Sequence, residues 1–279
     1  MLSTSMLHVV TVHFLSDAWI EPQLRYLRRF APPDTQVWAS LDGVEHGRGF
    51  DHETSLEGSH ADKLDELARR VSEVARPEDH LLFLDGDAFP VATLEALLAI
   101  ASPLTAVRRD ENLGAPQPHP SFCLTTVGFW NDIGGDWSPG PLWTNSRGQP
   151  TTDVGGELLR VLTERDLPWH ALTRCNTTDL QPLFFAVYGN ADVGPVVYHH
   201  GAGFRERRGG RVRTKVRPAR IPQGVPLLGR VERSLRWRRA QRRKQSERYQ
   251  RKAAQQDARV RGWIATDDNI LTRFVSPNS

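Results

Sequence analysis

The chain is poor in sulfur and contains no long apolar run. Among its 279 residues are two cysteines and two methionines. Cys123 and Cys175 lie far apart and outside any CxxC pair. That spacing excludes a thiolate zinc knuckle and a disulfide framework, and leaves two reduced thiols as the expectation. No apolar stretch approaches the roughly 18 residues needed to span a bilayer. Met1 to Ser5 lacks a basic region leading into an apolar core, and His8, Thr11 and His13 interrupt the first apolar stretch. No signal peptide is therefore expected, and the body is expected in the cytoplasm. No internal repeat is evident.

Negative charge is also missing in one place. About 21 of the 36 Lys and Arg residues fall between Arg205 and Arg261, against about four of the 33 Asp and Glu. A net charge of +3 and a pI of about 9.1 thus conceal an acidic body carrying a strongly basic C-terminal stretch. Hydrophobic residues at 39% and charged residues at 25% are ordinary for a globular protein and argue against wholesale disorder.

Leu7 to Leu15 is β-branched and bounded by Ser16-Asp17, as a central strand running into a helix cap would be. Pro22 and the stripe Ile20, Leu24, Leu27 continue into a helix that ends before Pro32-Pro33, and a second strand follows at Thr35 to Ser40. From Ser59, apolar residues Leu64, Leu67, Ala68, Val71, Val74 and Ala75 recur at helical period. His80 to Leu84 is short and continuously apolar, hence a buried strand; Thr93 to Ile100 reads as a helix and Thr105 to Arg108 as a strand. This alternation predicts an α/β fold. Beyond Asn112 the chain becomes rich in Gly, Pro and Trp, with a clear helix only at about Val154 to Arg165 and strands at Phe184 to Tyr188 and Val196 to Tyr198.

Asp85-Gly86-Asp87 follows the buried strand directly. Ligands of α/β sheets gather outside the carboxyl ends of strands. Two carboxylates there call for compensation, which a divalent cation supplies while leaving positions open for phosphate oxygens. Gly86 allows a sharp turn that brings both side chains toward one ion. His199-His200, at the end of an apolar strand and followed by Gly201 and Gly203, offers imidazole ligands for an Mn²⁺-like ion.

The first strand running into Trp19 to Phe30, the helix with His60 and Lys63, the segment Leu81 to Pro90 and the late Tyr198 to Arg205 together resemble the GT-A glycosyltransferases, in particular the broad family-2-like group. The resemblance covers about residues 7 to 205. It implies a GT-A-like, Rossmann-related mixed sheet flanked by helices. A nucleotide-binding half would occupy about residues 1–110, an acceptor half about 111–205, and a basic, partly helical extension 206–279. It further implies transfer of a sugar from a nucleotide-diphosphate donor to an acceptor hydroxyl, with Mn²⁺ or Mg²⁺ on the diphosphate. Asp87 would be the principal ligand, Asp85 would face the ribose or the ion through water, and His199 would complete the set, with His200 as its substitute. Thr11, His13 and Asp42, at the ends of the first strands, would lie near the nucleotide, as would His60, while Lys63 and Arg205 would reach phosphate.

An inverting transferase also needs a base for the acceptor hydroxyl. Asp153 is preferred, because it sits beside Gly155 and Gly156 at a helix start, where capping is the competing role; Asp132 and Asp136 are rivals in a Trp-rich segment. Trp130, Trp137 and Trp143 are either sugar-stacking faces or core residues, and His119 is a further contact. Arg230 to Arg261 is expected to be a helix, read first as a solvated face docked on the body and next as a contact for an anionic membrane surface. Nucleic acid ranks below both, because Trp237 and Tyr249 alone accompany the charges. The rival functions are a non-catalytic nucleotide-sugar or RNA-binding module and a metal-dependent phosphohydrolase.

Overall fold

The computed structural model describes residues 5–100, 102–178, 180, 184–201, 253–267 and 269–275. In chain order the elements are β1 (Leu7–Phe14), α1 (Ile20–Phe30), β2 (Gln36–Asp42), β3 (His52–Thr54), α2 (His60–Ser72), β4 (His80–Asp85), β5 (Ala88–Pro90), α3 (Glu95–Leu98) and β6 (Leu104–Arg108). They continue with β7 (Pro118–Thr126), α4 (Val127–Ile133), β8 (Trp143–Thr144), β9 (Pro150–Thr151), α5 (Gly156–Glu164), β10 (His170–Arg174), β11 (Ala186–Asn190) and β12 (Gly194–His199). A helix α6 over 253–266 and the short α7 (Leu271–Phe274) close the described chain.

Ten strands form one mixed sheet in the order β3-β2-β1-β4-β7-β6-β10-β11-β12-β5. β3, β2, β1 and β4 run parallel, while β7 is antiparallel to both its neighbours, so β6 regains the direction of β4. The carboxyl ends of β1, β2, β4 and β6 and the start of β7 therefore share one edge. This mixed sheet flanked by helices agrees with the α/β class expected from the sequence.

Alternation along the strands feeds two cores. Val9, Leu82 and Leu84 face α1 and α3, packing on Ile20, Leu24, Leu27 and Leu97. Val10, Leu81 and Phe83 face α2, α4 and α5, packing on Leu64, Leu67, Trp130 and Leu158. Each such fully buried side chain contributes on the order of 1.5–3 kcal/mol. Ser59 caps α2 by accepting the Asp62 amide at 3.2 Å, while the Ser59 amide donates to the Asp62 carboxylate at 2.7 Å.

One open alternative of the sequence is decided here, and one expectation is extended. Trp130 and Trp137 are buried against Phe83 with ring centroids 4.5 and 5.0 Å away, so they are core residues and not sugar platforms. Between Asn112 and Val154 the chain also forms α4, seven residues long and closed by left-handed Gly134, too short to print a helical period.

The expected basic helix over Arg230 to Arg261 lies mostly outside the described residues, and its described end is not a purely solvated face. Val260 and Ile264 are buried in a third cluster with Trp19 at the N-cap of α1, Tyr26 of α1, Phe89 of β5, Tyr198 of β12 and Phe274 of α7. Tyr26 donates its hydroxyl hydrogen to the Asp267 carbonyl at 3.0 Å, and Arg25 donates to the Ile264 carbonyl. The surrounding Arg and Lys mask this i, i+4 apolar pair in the composition. No helix among the described residues is long and apolar enough to cross a membrane.

Candidate functional site

The Asp85–Asp87 turn is where the chain passes from β4, in the middle of the sheet, to β5, at the far edge beside β12. Its shape is enforced from two sides. A side chain on Gly86 would meet the Val12 carbonyl oxygen of β1 at 2.5 Å, so only glycine lets the turn lie against β1. The need is close backbone approach rather than the turn conformation anticipated from sequence. From the other side, the fully buried Gln23 of α1 donates its amide hydrogens to the Asp85 and Ala88 carbonyls at 2.9 and 2.8 Å, bracketing the turn. His13 in turn donates Nε2–H to the Gln23 Oε1 at 3.0 Å, and burial pushes its pKa down to about 4.

Register delivers the late histidine. β12 pairs antiparallel with β5, setting His199 opposite Ala88, one residue from Asp87. The His199 Nε2 lies 3.3 Å from an Asp87 oxygen and 3.5 Å from an Asp85 oxygen. One ligand atom each from Asp85, Asp87 and His199 falls within 4.8 Å of the others. His200 points to the opposite face, because neighbouring strand residues alternate. It bonds Tyr198 and Asp257 instead and does not join the cluster.

Three imidazoles surround Asp85. His60, at the start of α2, donates to its Oδ1 at 2.9 Å; His119 Nδ1 is 3.9 Å from Oδ2; His199 is the third. Burial favours the neutral acid, but the His60 hydrogen bond, together with the neighbouring imidazoles of His60, His119 and His199, outweighs it and holds the Asp85 carboxyl far below its usual range. Asp87 is also lowered: burial opposes ionisation, and His199 overcomes it. For His60, burial opposes protonation, and its bond to Asp85 raises the pKa nonetheless. His119 goes the other way, to about 3, through burial and then the neighbouring Arg109. Its Nδ1 accepts the Ser121 amide at 3.0 Å, so the neutral ring carries its proton on Nε2.

A cleft of about 770 Å³ opens over this cluster. His13, His60, Lys63 and Asp153 line it with Asp85, Asp87 and His199. Lys63 is buried and bonded at 2.6 Å to Asp42 at the end of β2, so the two act as a pair. Asp153 is exposed at the cleft wall; Gly155, not Asp153, is the N-cap of α5, and the carboxylate accepts the adjacent Val154 amide at 3.0 Å.

Several expected residues lie elsewhere. Thr11 is fully buried inside β1, which continues to Phe14, and does not reach the cleft. Asp132 is exposed on α4 and Asp136 accepts the Ser138 amide at 2.6 Å; neither lines the cleft. Arg205 lies outside the described residues.

Sequence reasoning missed Gln23 and Arg109. Gln23 was signalled by a polar residue on the apolar face of α1, in register with Ile20 and Leu27. Arg109 follows β6, whose end becomes a neighbour of Asp85 only through the antiparallel insertion of β7. It sits between Glu111 at 3.6 Å and the cleft.

No protein-family model and no curated protein sequence matches the chain. Among solved structures it is similar to the mannosyltransferase PcManGT from Pyrobaculum calidifontis in complex with GDP-Man and Mn²⁺, at 16% identity over 46% of each chain with a TM-score of 0.35. It is similar to S. aureus TarS 1–349 in complex with UDP-GlcNAc, at 14% identity over 48% of each chain with a TM-score of 0.36. Likeness to the glycosyltransferase GlyE of Streptococcus pneumoniae TIGR4 covers 61% of this chain and 45% of that one, at 12% identity with a TM-score of 0.37. The chain spans about half the length of these structures.

Proposed function

We propose that the chain is a metal-dependent glycosyltransferase that moves a sugar from a nucleotide-diphosphate donor to an acceptor hydroxyl. The observation that carries this reading is the convergence of Asp85, Asp87 and His199 at the carboxyl edge of the sheet, beneath a cleft of about 770 Å³. That volume suits a ligand of nucleotide-sugar size.

The donor set fits a divalent cation. Both carboxylates ionise readily and are largely buried, at 15% and 12% side-chain exposure, and one imidazole nitrogen faces them both. Two buried negative charges this close are costly without a cation. Carboxylate with imidazole suits Mn²⁺ better than Mg²⁺, which prefers oxygen ligands alone. When bound, the ion acts as a Lewis acid on the diphosphate leaving group.

The chain's own residues do the rest. Asp87 and His199 hold the cation, and Asp85 is oriented toward it by the His60 hydrogen bond. Lys63, held from behind by Asp42, forms the nucleotide side of the cleft, with His13 fixed behind the turn. Three carboxylates line the cleft among the described residues: Asp85, Asp87 and Asp153. With the first two committed to the cation, Asp153 is left to take the proton of the acceptor hydroxyl.

Hydrolysis of a panel of nucleotide sugars with and without Mn²⁺ tests the reading. The expected result is Mn²⁺-dependent release of nucleoside diphosphate from at least one donor. Failure of every donor, together with stabilisation by RNA and not by UDP or GDP with Mn²⁺, would overturn it in favour of a binding module.

A further inference from the structure

The C-terminal helix reaches the site through the histidine that does not line it. His200 is buried at 3% exposure, and each of its polar groups is engaged. Its Nε2 lies 2.6 Å from an Asp257 oxygen on α6, and its Nδ1 lies 2.8 Å from the Tyr198 hydroxyl. Its backbone amide donates to the Asp87 carbonyl at 3.0 Å, and its carbonyl accepts the Phe185 amide at 3.0 Å. The ring packs 4.2 Å from the Trp19 ring. Asp257 is held by Arg261 one turn further along α6, at 3.2 Å, and the Arg261 guanidinium stacks over Trp19 at 4.3 Å.

We propose that Asp257 is a positioning residue for the cation site: it fixes the His200 ring, and His200 fixes both the Asp87 backbone and the end of β12 that carries His199. This inference rests on the reading of Asp85, Asp87 and His199 as cation ligands. Its logic is that of groups behind metal ligands, whose loss weakens metal binding by about 10- to 100-fold through misorientation. His200 shares a peptide unit with one ligand and a hydrogen bond with the backbone of another, so freedom in its ring reaches both. α6 is separated from the remainder of the site by the basic stretch, yet Val260 and Ile264 bury it firmly enough to act as a fixed anchor.

The test is an Mn²⁺ titration followed by electron paramagnetic resonance on the full chain, with Mn²⁺ alone as probe. Wild type is expected to bind, Asp257→Ala to bind about tenfold more weakly with an unchanged circular-dichroism spectrum, and Asp257→Asn, which keeps an acceptor for the ring, to stay within about threefold of wild type. Tyr198→Phe removes only the hydroxyl on the other ring nitrogen and is expected to weaken binding by about threefold. A merely structural role for Asp257 lowers the melting temperature without moving Mn²⁺ affinity. Wild-type affinity in folded Asp257→Ala overturns the proposal. Should that variant fail to fold, wild-type affinity in Tyr198→Phe overturns it. No binding by wild type itself sinks the cation-site reading, and the proposal with it.

Discussion

Replacing Gly86 by alanine tests the geometry of the site without touching any charge. Gly86 has no need of a left-handed backbone; its constraint is space. The added methyl carbon would lie 2.5 Å from the Val12 carbonyl oxygen, 3.0 Å from His13 Nδ1 and 3.2 Å from His13 Cε1. The first neighbour is backbone in a strand paired on both sides, with β2 and β4, so it cannot rotate away. Ordinary contact requires about 3.3 Å, so β1 and the turn must separate by nearly an ångström, or the turn must tilt.

Tilting strains the carbonyls of Asp85 and Ala88 away from Gln23, leaving buried acceptors short of donors. Overpacking of this kind typically destabilises by about 1–3 kcal/mol. For a chain of this size about 2 kcal/mol corresponds to a drop of roughly 4–8 °C in the melting temperature. Differential scanning calorimetry gives that number, and an Mn²⁺ titration on the same sample gives the second: affinity is expected to fall at least tenfold, because Asp85 and Asp87 flank the displaced residue. A Gly86→Ala protein melting within 1 °C of wild type, with intact Mn²⁺ affinity, would refute the close packing of the turn on β1.

Asp87→Asn is expected to abolish the Mn²⁺-dependent thermal stabilisation by UDP or GDP while leaving the apo melting temperature within a few degrees, read by thermal shift. Asp153→Asn is expected to lower kcat by about 10²- to 10⁴-fold with little change in donor KM, the signature of a lost base rather than lost binding. Away from the cleft, burial raises the Asp65 carboxyl from its ordinary 3.8 to about 7, despite the Trp137 amide that donates to it. An acid with a raised folded pKa holds its proton more tightly in the native state, so its contribution is fully present below about pH 4 and is lost as pH rises to about 7. Asp65→Asn, which keeps an acceptor for the amide, is therefore expected to add about 2 kcal/mol at pH 8, after screening at this partly exposed site, and little near pH 4, as measured by urea unfolding.

What the sequence made legible was whatever depends on a local pattern. β1, α1, α2 and β4 announce themselves by apolar period, and the acidic turn by its place after a short, continuously apolar strand. What stayed hidden depends on partners distant in the chain. His119 looks like a loop residue until β7 is seen to run antiparallel between β4 and β6, which carries its start to the side of Asp85. The tryptophans of the Gly-rich segment could be read as sugar platforms or as core, and for Trp130 and Trp137 the packing against Phe83 decides for the core. Asp257 sat in a basic stretch as one of few acidic residues, and only the docking of Val260 and Ile264 gives it a partner.

The choice between His199 and His200 shows why one strand decides the chemistry. On a strand, adjacent residues face opposite sides, so of a His-His pair one member can point into the cleft. Which one is a question of register between β12 and β5, and a slip of a single residue would exchange them. Such a slip would also turn Tyr198 out of the cluster formed with Phe89 and Phe274, and would part His200 from Asp257. The apolar burial of Tyr198 and the anchor at His200 thus oppose the same error. The residue that binds no cation is part of the reason that its neighbour faces the carboxylates.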